Sequence, residues 1–284
     1  MTTIKTTLLL FLSCFLLFSG SAFAQEFRDI ADDKLFIIET GEGKVYVELA
    51  PEFAPKHVER IIQLSRSKQY QGTEFYRVID GFVAQAGPGG KQNLTLAPLQ
   101  LEALSSKNSD YTLVQSNDLF APFTAFSKGF AIALNQEKSE YWLTHCPGVV
   151  AMARGNDPHS ATSDFYITIG QAPRYLDRIM TIFGRVVYGM DVVQRTKRGV
   201  TGENGLFPNQ QQPTKILATY LASELPEKHR PGIRVEKTEG GVFEQKLQAR
   251  KNRNHAFFFE KPPAVLDVCQ VPLAVEFEAP ETPN

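Results

Sequence analysis

Several things are scarce in this 284-residue chain. Charge of one sign is not in excess: 30 Lys and Arg face 31 Asp and Glu, a formal net charge of −1. That balance gives no electrostatic grip on a phosphate backbone, so nucleic acid is not an expected partner. Histidine is rare, with 5 residues. None falls at a metal-ligand spacing, and neither metal nor cofactor is expected. Cysteine is rarer, with 3 residues. Long apolar runs are confined to the N-terminus; no later segment is long or apolar enough to span a bilayer. No internal repeat is visible.

The N-terminus reads as a secretory signal. Lys5 supplies a positive start, Leu8–Phe18 is an apolar run, and Ala22-Phe23-Ala24 is an A-x-A cleavage site. The run is too short for a membrane anchor, which predicts removal of residues 1–24 and no stable membrane insertion afterwards. A lipoprotein reading would use Cys14, but the apolar run continues past it. The mature chain from Gln25 suits one large domain or one domain with an extension. Export leaves Cys146 and Cys269. Two cysteines in an oxidising compartment most simply form one disulfide; two buried thiols are the alternative. Such a bond would close a loop worth roughly 4–5 kcal/mol in the chain-entropy picture.

Periodicity organises much of the rest. Lys34–Thr40 and Lys44–Ala50 are β-rich runs around Gly41-Glu42-Gly43, a hairpin signal. Lys56–Ser67 has a helical apolar face (Val58, Ile61, Ile62, Leu64), with Pro55 at its first turn. From Gly87 to Cys146 the pattern is patchy; Leu119–Phe126 and Gly129–Leu134 are short strands or irregular loop. So long a stretch is not expected to be featureless, and residues of about 88–145 are expected to form an insertion with structure of its own. Gly148–Ala153, Asp164–Ile169 and Thr181–Val187 read as strands, Pro173–Arg178 as a turn, and Met190–Arg195 as a short helix. Composition shifts after Gly199. Residues 200–277 read as a C-terminal extension, with Gly202–Gln212 a loop, Ile216–Ala222 a strand, Phe243–Asn252 a helix and Val265–Phe277 alternating towards a final strand. Residues 278–284 read as a disordered tail.

Two familiar motifs fail on inspection. Gly87–Gln92 lacks the first glycine and the Ser or Thr of a phosphate-binding loop. Ser65–Lys68 matches S-x-x-K, with no K-T-G to accompany it.

The stretch Phe75–Gly87, FYRVIDGFVAQAG, is the most informative. Read as strand, turn, strand, it puts Arg77, Val83 and Gln85 on one face. Alone, Arg77 reads as well as an ion-pair partner of Asp80 or Asp164. The stretch resembles the active-site signature of the cyclophilin-type peptidyl-prolyl cis-trans isomerases. AMARGNDPHSATSDFYITIG and YLDRIMTIFGRVVYGMDVV resemble the family's later signatures, in the family's order. The resemblance implies a mainly β fold, a closed eight-stranded antiparallel barrel capped by two helices, spanning residues 34–199.

It also implies roles. Arg77 falls on the catalytic arginine and Gln85 on the active-site glutamine. Phe82, Val83, Tyr166 and Leu176 fall on the proline pocket, and Tyr175 on the aromatic beside it. Ala153 and Arg154 fall where the substrate backbone is held. Arg154 replaces the usual asparagine, Asp164 the usual glutamine and Met180 the usual histidine. The implied function is prolyl isomerisation assisting the folding of exported proteins, with proline-containing segments as partners and the periplasm as location. A catalytically weak binding module or envelope chaperone of the same fold is the alternative. More loosely, WLTHC (Trp142–Cys146) and LDVCQVP (Leu266–Pro272) resemble pieces of exported bacterial relatives, which implies a Cys146–Cys269 bridge.

Overall fold

The structure, a computed structural model, describes residues 26–89, 95–106, 110–208 and 211–280. The expected signal peptide, 1–24, and residues 281–284 of the expected tail lie outside the described residues. In chain order come β1 (Phe27–Asp29), β2 (Leu35–Thr40), β3 (Gly43–Leu49), α1 (Pro55–Arg66), β4 (Glu74–Ile79) and β5 (Val83–Gly87). Then follow β6 (Thr112–Ser116), β7 (Phe123–Ser127), β8 (Phe130–Asn135) and β9 (Glu140–Leu143). β10 (Val149–Met152), β11 (Phe165–Thr168), β12 (Ile182–Tyr188), α2 (Met190–Arg195) and β13 (Ile216–Leu221) come next, and β14 (Gly232–Glu236), α3 (Gly241–Asn252) and β15 (Val275–Glu278) complete the order.

Eight strands form one antiparallel sheet in the order β13-β2-β3-β12-β10-β11-β5-β4. Its two edges meet. Gly72 N donates to Ile216 O at 2.8 Å, Ile216 N donates to Thr73 O at 2.8 Å, and Phe75 N donates to Thr214 O at 2.9 Å. The sheet thereby curls into a barrel and leaves little free edge for a foreign strand. Inward-facing Phe36, Val47, Phe165 and Phe183 fill it, and the apolar stripes of α1 (Val58, Ile61, Leu64) and α2 (Val192, Val193) close the ends. β13 supplies the eighth strand, so the barrel runs past Gly199, the boundary expected from composition. The polar stretch after Gly199 is a crossing loop, and the hydrogen bonds that make β13 part of the barrel join residues far apart in the chain.

Between β5 and β10 the chain forms a second, four-stranded sheet in the order β6-β7-β8-β9. Val114, Phe126, Ile132 and Leu143 of this sheet pack on the outer barrel face at Val83, Ala151, Tyr166 and Ile182, together with Phe243 and Val268 of the C-terminal segment. A third sheet, β1-β14-β15, covers another outer face. There Ile233 and Val235 meet Leu35, Ile37 and Tyr46. Glu278, expected in the tail, ends β15 opposite Gly232. The expected strand over Val265–Phe277 is confined to its last residues: Val268–Gln270 is a 3₁₀ turn. Cys269 in that turn is joined to Cys146 by a disulfide. The alternation there reflects side chains packing on the four-stranded sheet, with no strand ladder at Cys269.

Helix α1 has an unusual start. Ala54 at its N-cap has no side chain to accept from the free N–H groups, and Pro55 follows it. The missing acceptor comes from 45 positions away. Glu102 takes the N–H of Lys56 at 3.1 Å and of His57 at 3.0 Å, and also bonds His57 Nδ1 at 2.7 Å. A carboxylate at a helix N-terminus satisfies orphan donors and meets the positive end of the dipole. Burial holds the His57 ring below its ordinary pKa, against the raising effect of Glu102. Glu102→Ala is expected to cost about 1–2 kcal/mol in urea unfolding, the range of a lost cap; a loss below about 0.3 kcal/mol contradicts the assignment.

Candidate active site

Strand register assembles the site. Arg77 on β4 lies opposite Gln85 on β5. Gln85 lies opposite Tyr166 on β11, Tyr166 opposite Ala151 on β10, and Ala151 opposite Ile182 on β12. Directly opposed residues share a face, so one row crosses the outer barrel wall, with Arg77 at its end. Val83 sits one step along, opposite Thr168. Alternation sends the intervening Ala84, Ala86, Phe165 and Ile167 inward to the core.

The guanidinium is held on three sides. Its Nη1 donates to Gln85 Oε1 at 2.9 Å, its Nε to Asn204 O at 3.1 Å and its Nη2 to Asn204 Oδ1 at 3.3 Å. A guanidinium has five N–H donors, so donors remain for a bound amide. Neither expected carboxylate pairs with it: Asp80 takes Arg198 at 2.9 Å, and Asp164 turns elsewhere. The ion-pair reading of Arg77 is therefore corrected. Asn204 was missed because the loop that carries it crosses the site 127 positions from Arg77.

Gln85 is fixed from its other end. Its Nε2 donates to the Tyr76 hydroxyl at 2.5 Å, and that hydroxyl bonds in turn to Asp164. Tyr76 was also missed. Strict alternation would put it on the face opposite Arg77, but the β4–β5 register shifts between Glu74 and Arg77. A bulge re-aims a side chain in this way. Burial, then the Asp164 charge, pushes the Tyr76 hydroxyl up to about 12. Asp164 also accepts from Gly89 N at 2.7 Å and from Ser163 Oγ at 3.1 Å. These bonds lower its pKa, yet burial outweighs them and leaves it raised. Gly87 is required beside it. Its φ is +134°, and a Cβ would lie 2.5 Å from Asp164 Oδ1.

The apolar side of the site is formed by the turn after β4 and the loop after β11. Phe82 is half-buried and Val83 buried. Ile169 N donates to Phe82 O at 2.9 Å. Gly170 comes so close to Gly81 that a Cβ would lie 1.7 Å from Gly81 O, which seats the 170–176 loop against Phe82. That loop ends in a 3₁₀ turn, Arg174–Leu176. Leu176 is half-buried there, and Tyr175 stands 65% exposed. Met180 is half-buried against Phe53 and Trp142, and Ala153 also packs at this edge.

Two substitutions are explained by their partners. Tyr166 adds a hydroxyl to an apolar floor, and that hydroxyl meets His145 Nε2 at 2.9 Å. His145 is fully buried. Its Nδ1 lies 3.1 Å from Asp177 Oδ1. A carboxylate only accepts, so Nδ1 carries the proton. Arg174 Nε donates to Asp177 at 2.6 Å, and Arg174 Nη2 to Asp118 at 3.2 Å. Burial keeps the Tyr166 phenol well above its ordinary pKa. Arg154 differs from expectation. Its donors go to the backbone carbonyls of Ile179, Gly155 and Asn156. The side chain braces its own loop and is not aimed at a flanking substrate carbonyl.

The comparisons with known proteins agree with this geometry. The family model described as "Cyclophilin type peptidyl-prolyl cis-trans isomerase/CLD" matches residues 35–220. The chain belongs to the cyclophilin-type peptidyl-prolyl cis-trans isomerases. A probable peptidyl-prolyl cis-trans isomerase of Brucella suis is 32% identical over 188 residues, 66% of this chain and 82% of that protein. Peptidyl-prolyl cis-trans isomerase B of Escherichia coli is 27% identical over 197 residues, 65% of this chain and 97% of that protein. The crystal structure of a cyclophilin from Hirschia baltica superposes with a TM-score of 0.74 at 32% identity, covering 90% of this chain and 95% of that one. The family match ends at residue 220, where β13 closes the barrel. The activity of this cyclophilin is prolyl isomerisation, and proline-containing peptides are its substrates.

Asp164 gives a pH test. Its folded pKa lies above its unfolded value, because burial disfavours the charged carboxylate. Between the ordinary carboxylate range near 3.9 and the raised value, the folded chain binds more protons than the unfolded chain. This group's contribution is therefore full at low pH and falls as pH rises through that window. Unfolding free energies of wild type and Asp164→Asn, measured from about pH 3.5 to about pH 7, are expected to diverge with wild type losing ground as pH rises. A constant difference contradicts the raised pKa.

Proposed function

We propose that this cyclophilin accelerates prolyl isomerisation in exported proteins in the periplasm, with Arg77 stabilising the twisted amide. The peptide C–N bond has partial double-bond character and a rotation barrier of roughly 18–20 kcal/mol. Uncatalysed isomerisation takes about 10–100 s. No bond is broken, so the enzyme need only hold the twisted amide better than either planar form. When the amide twists, the prolyl nitrogen regains a lone pair. A guanidinium is always charged and presents its donors in a fixed fork, which suits donation to that nitrogen.

The observation that carries this reading is the fixed guanidinium of Arg77. Gln85 and Asn204 hold it while leaving donors free, beside half-buried Phe82, with Val83 and Tyr166 buried behind. The ring of the proline would sit against Phe82 while the preceding carbonyl swings. Gln85, itself fixed by Tyr76, would accept from or donate to the neighbouring peptide group. Arg154 offers its backbone to the substrate, because its side chain is tied down.

A second reading, a binding module with weak catalysis, is favoured by the tied-down Arg154 and by the Asp164 carboxylate where a glutamine is usual. Isomerisation of an Xaa-Pro tetrapeptide by wild type and Arg77→Lys separates the two. Losing donor geometry at one transition-state contact typically costs about 10²–10³ in rate. We expect kcat to fall in that range with KM little changed. A wild-type rate no better than buffer favours the binding module, and equal rates in both proteins remove Arg77 from the mechanism.

The periplasmic destination rests on the A-x-A site after the apolar run. Expression of the full chain in a Gram-negative host, followed by fractionation, is expected to release protein beginning at Gln25 with the periplasm. Full-length protein retained in the cytoplasm overturns that part of the proposal.

A further inference from the structure

We infer that the proline groove opens into a second binding surface, built by the four-stranded sheet and the C-terminal segment, that takes apolar and aromatic residues flanking the proline in an unfolded chain. The inference rests on the groove proposed above and names the kind of substrate it prefers: an extended, unfolded polypeptide over a short or folded one.

The two surfaces share a wall. Tyr175 and Leu176 of the 174–176 turn belong to the groove, while Arg174 of the same turn lines a depression of about 520 Å³. The far side of that depression is Leu119 and Phe120, from the loop between β6 and β7, and Val265 and Leu266, from the segment leading to Cys269. The wall is rigid. Arg174 is buried, paired with Asp118 and Asp177, and covered by the Phe120 ring at 5.2 Å. With these charges already paired, the apolar contacts the depression offers a ligand come from Leu119, Phe120 and Val265, and its polar rim from Gln115, Gln171 and Asp267.

Among its apolar residues Leu119 is 88% exposed, Val265 56% and Phe120 44%, while Leu266 is buried. Tyr175, on the groove side of the turn, is 65% exposed. Single exposed apolar residues need no explanation, but a contiguous group beside a binding groove marks an interaction surface. The surface continues. A second depression of about 460 Å³ shares Leu266 and Gln270 with the first and is lined by Phe258 together with Arg250, Arg253 and His255. Its neighbours Phe257 and Phe259 are 77% and 93% exposed.

The occupant follows from shape and continuity. A stable folded partner usually needs a broad patch, about 800 Å² on each side. Here exposed apolar residues sit in two adjoining hollows, the first bounded by Arg174 of the turn that also carries Tyr175 and Leu176. An extended chain sets its side chains at regular intervals and can fill such hollows in turn. The 174–176 turn, whose Asp177 partner also holds His145 beneath Tyr166, makes the second surface part of the same rigid wall as the first.

Calorimetry with the mature full-length chain tests this, using three peptides. One is a short Ala-Ala-Pro-Phe tetrapeptide. The others carry the same core with flanks on both sides, either alternating Phe, Leu and Ser or Ser alone. Burial of one or two such side chains corresponds to about tenfold in affinity or more. Wild type is expected to bind the Phe/Leu-flanked peptide at least about tenfold more tightly than the other two. Leu119→Asp with Val265→Asp is expected to abolish that advantage while leaving tetrapeptide binding and turnover unchanged. Phe259→Asp, at the far exposed end, is expected to reduce it partly. Equal wild-type affinity for all three peptides, or a variant that weakens all three alike, overturns the inference. Failure to turn over the tetrapeptide would instead defeat the isomerase reading, since the flank effect is read from binding alone.

Discussion

Everything in the site depends on one cross-strand pair, Arg77 opposite Gln85 at the edge of the β5 side of the barrel. In the proposed mechanism an arginine with free rotamers would have to be ordered at each encounter with substrate, at a cost in side-chain entropy. Here the cost is met on folding. The barrel register sets the two residues opposite each other, the Tyr76–Asp164 pair fixes the far end of the amide, and Asn204 holds the remaining edge of the guanidinium. Closure by β13 is part of this arrangement, because the loop that carries Asn204 is the one leading into that strand. Barrel closure and the fixing of the cation therefore draw on the same stretch of chain.

The covering layers act on the same row from the other end. The four-stranded sheet and the C-terminal segment bury Tyr166, Ala151 and Ile182 against Phe126, Phe243 and Val268. This burial would be costly for the Tyr166 hydroxyl without a partner. His145 supplies one, and its neighbour Cys146 carries the disulfide to Cys269. Cross-linking across 123 positions removes unfolded-state entropy worth roughly 4–5 kcal/mol in the simplest picture. In the folded chain it also holds the C-terminal segment over the barrel. The half of the row that includes Tyr166 is stiffened by the added layers, while the Arg77 end keeps free donors.

The sequence was legible where the physics is local. The period-2 runs of β2 and β3, the helical stripe and leading proline of α1, and the short helix after Gly189 all follow from side-chain alternation and backbone preference. So does the shared face of Arg77, Val83 and Gln85. What was not legible depended on distance or on broken periodicity. Tyr76 was hidden because a bulge overrides alternation. Asn204, Glu102 and His145 act on residues far from them in the chain, and nothing near them marks the contact. The boundary at Gly199 failed for a related reason: a polar loop looks the same whether it leaves a domain or crosses it. Arg154 departs from the usual asparagine at a motif position, and only the packed loop shows where its donors go.

The central claim is that a prolyl peptide binds at the Arg77–Gln85 end of the row, beside Phe82, and isomerises there. Nuclear magnetic resonance on isotope-labelled protein titrated with an Xaa-Pro peptide tests both parts in one sample. The account predicts shifts at the Arg77 Nε–H, the Gln85 side-chain amide and the Ala153 amide, with exchange peaks linking the cis and trans forms of the peptide. Shifts confined to other surfaces, or exchange peaks without any change at Arg77, would contradict it.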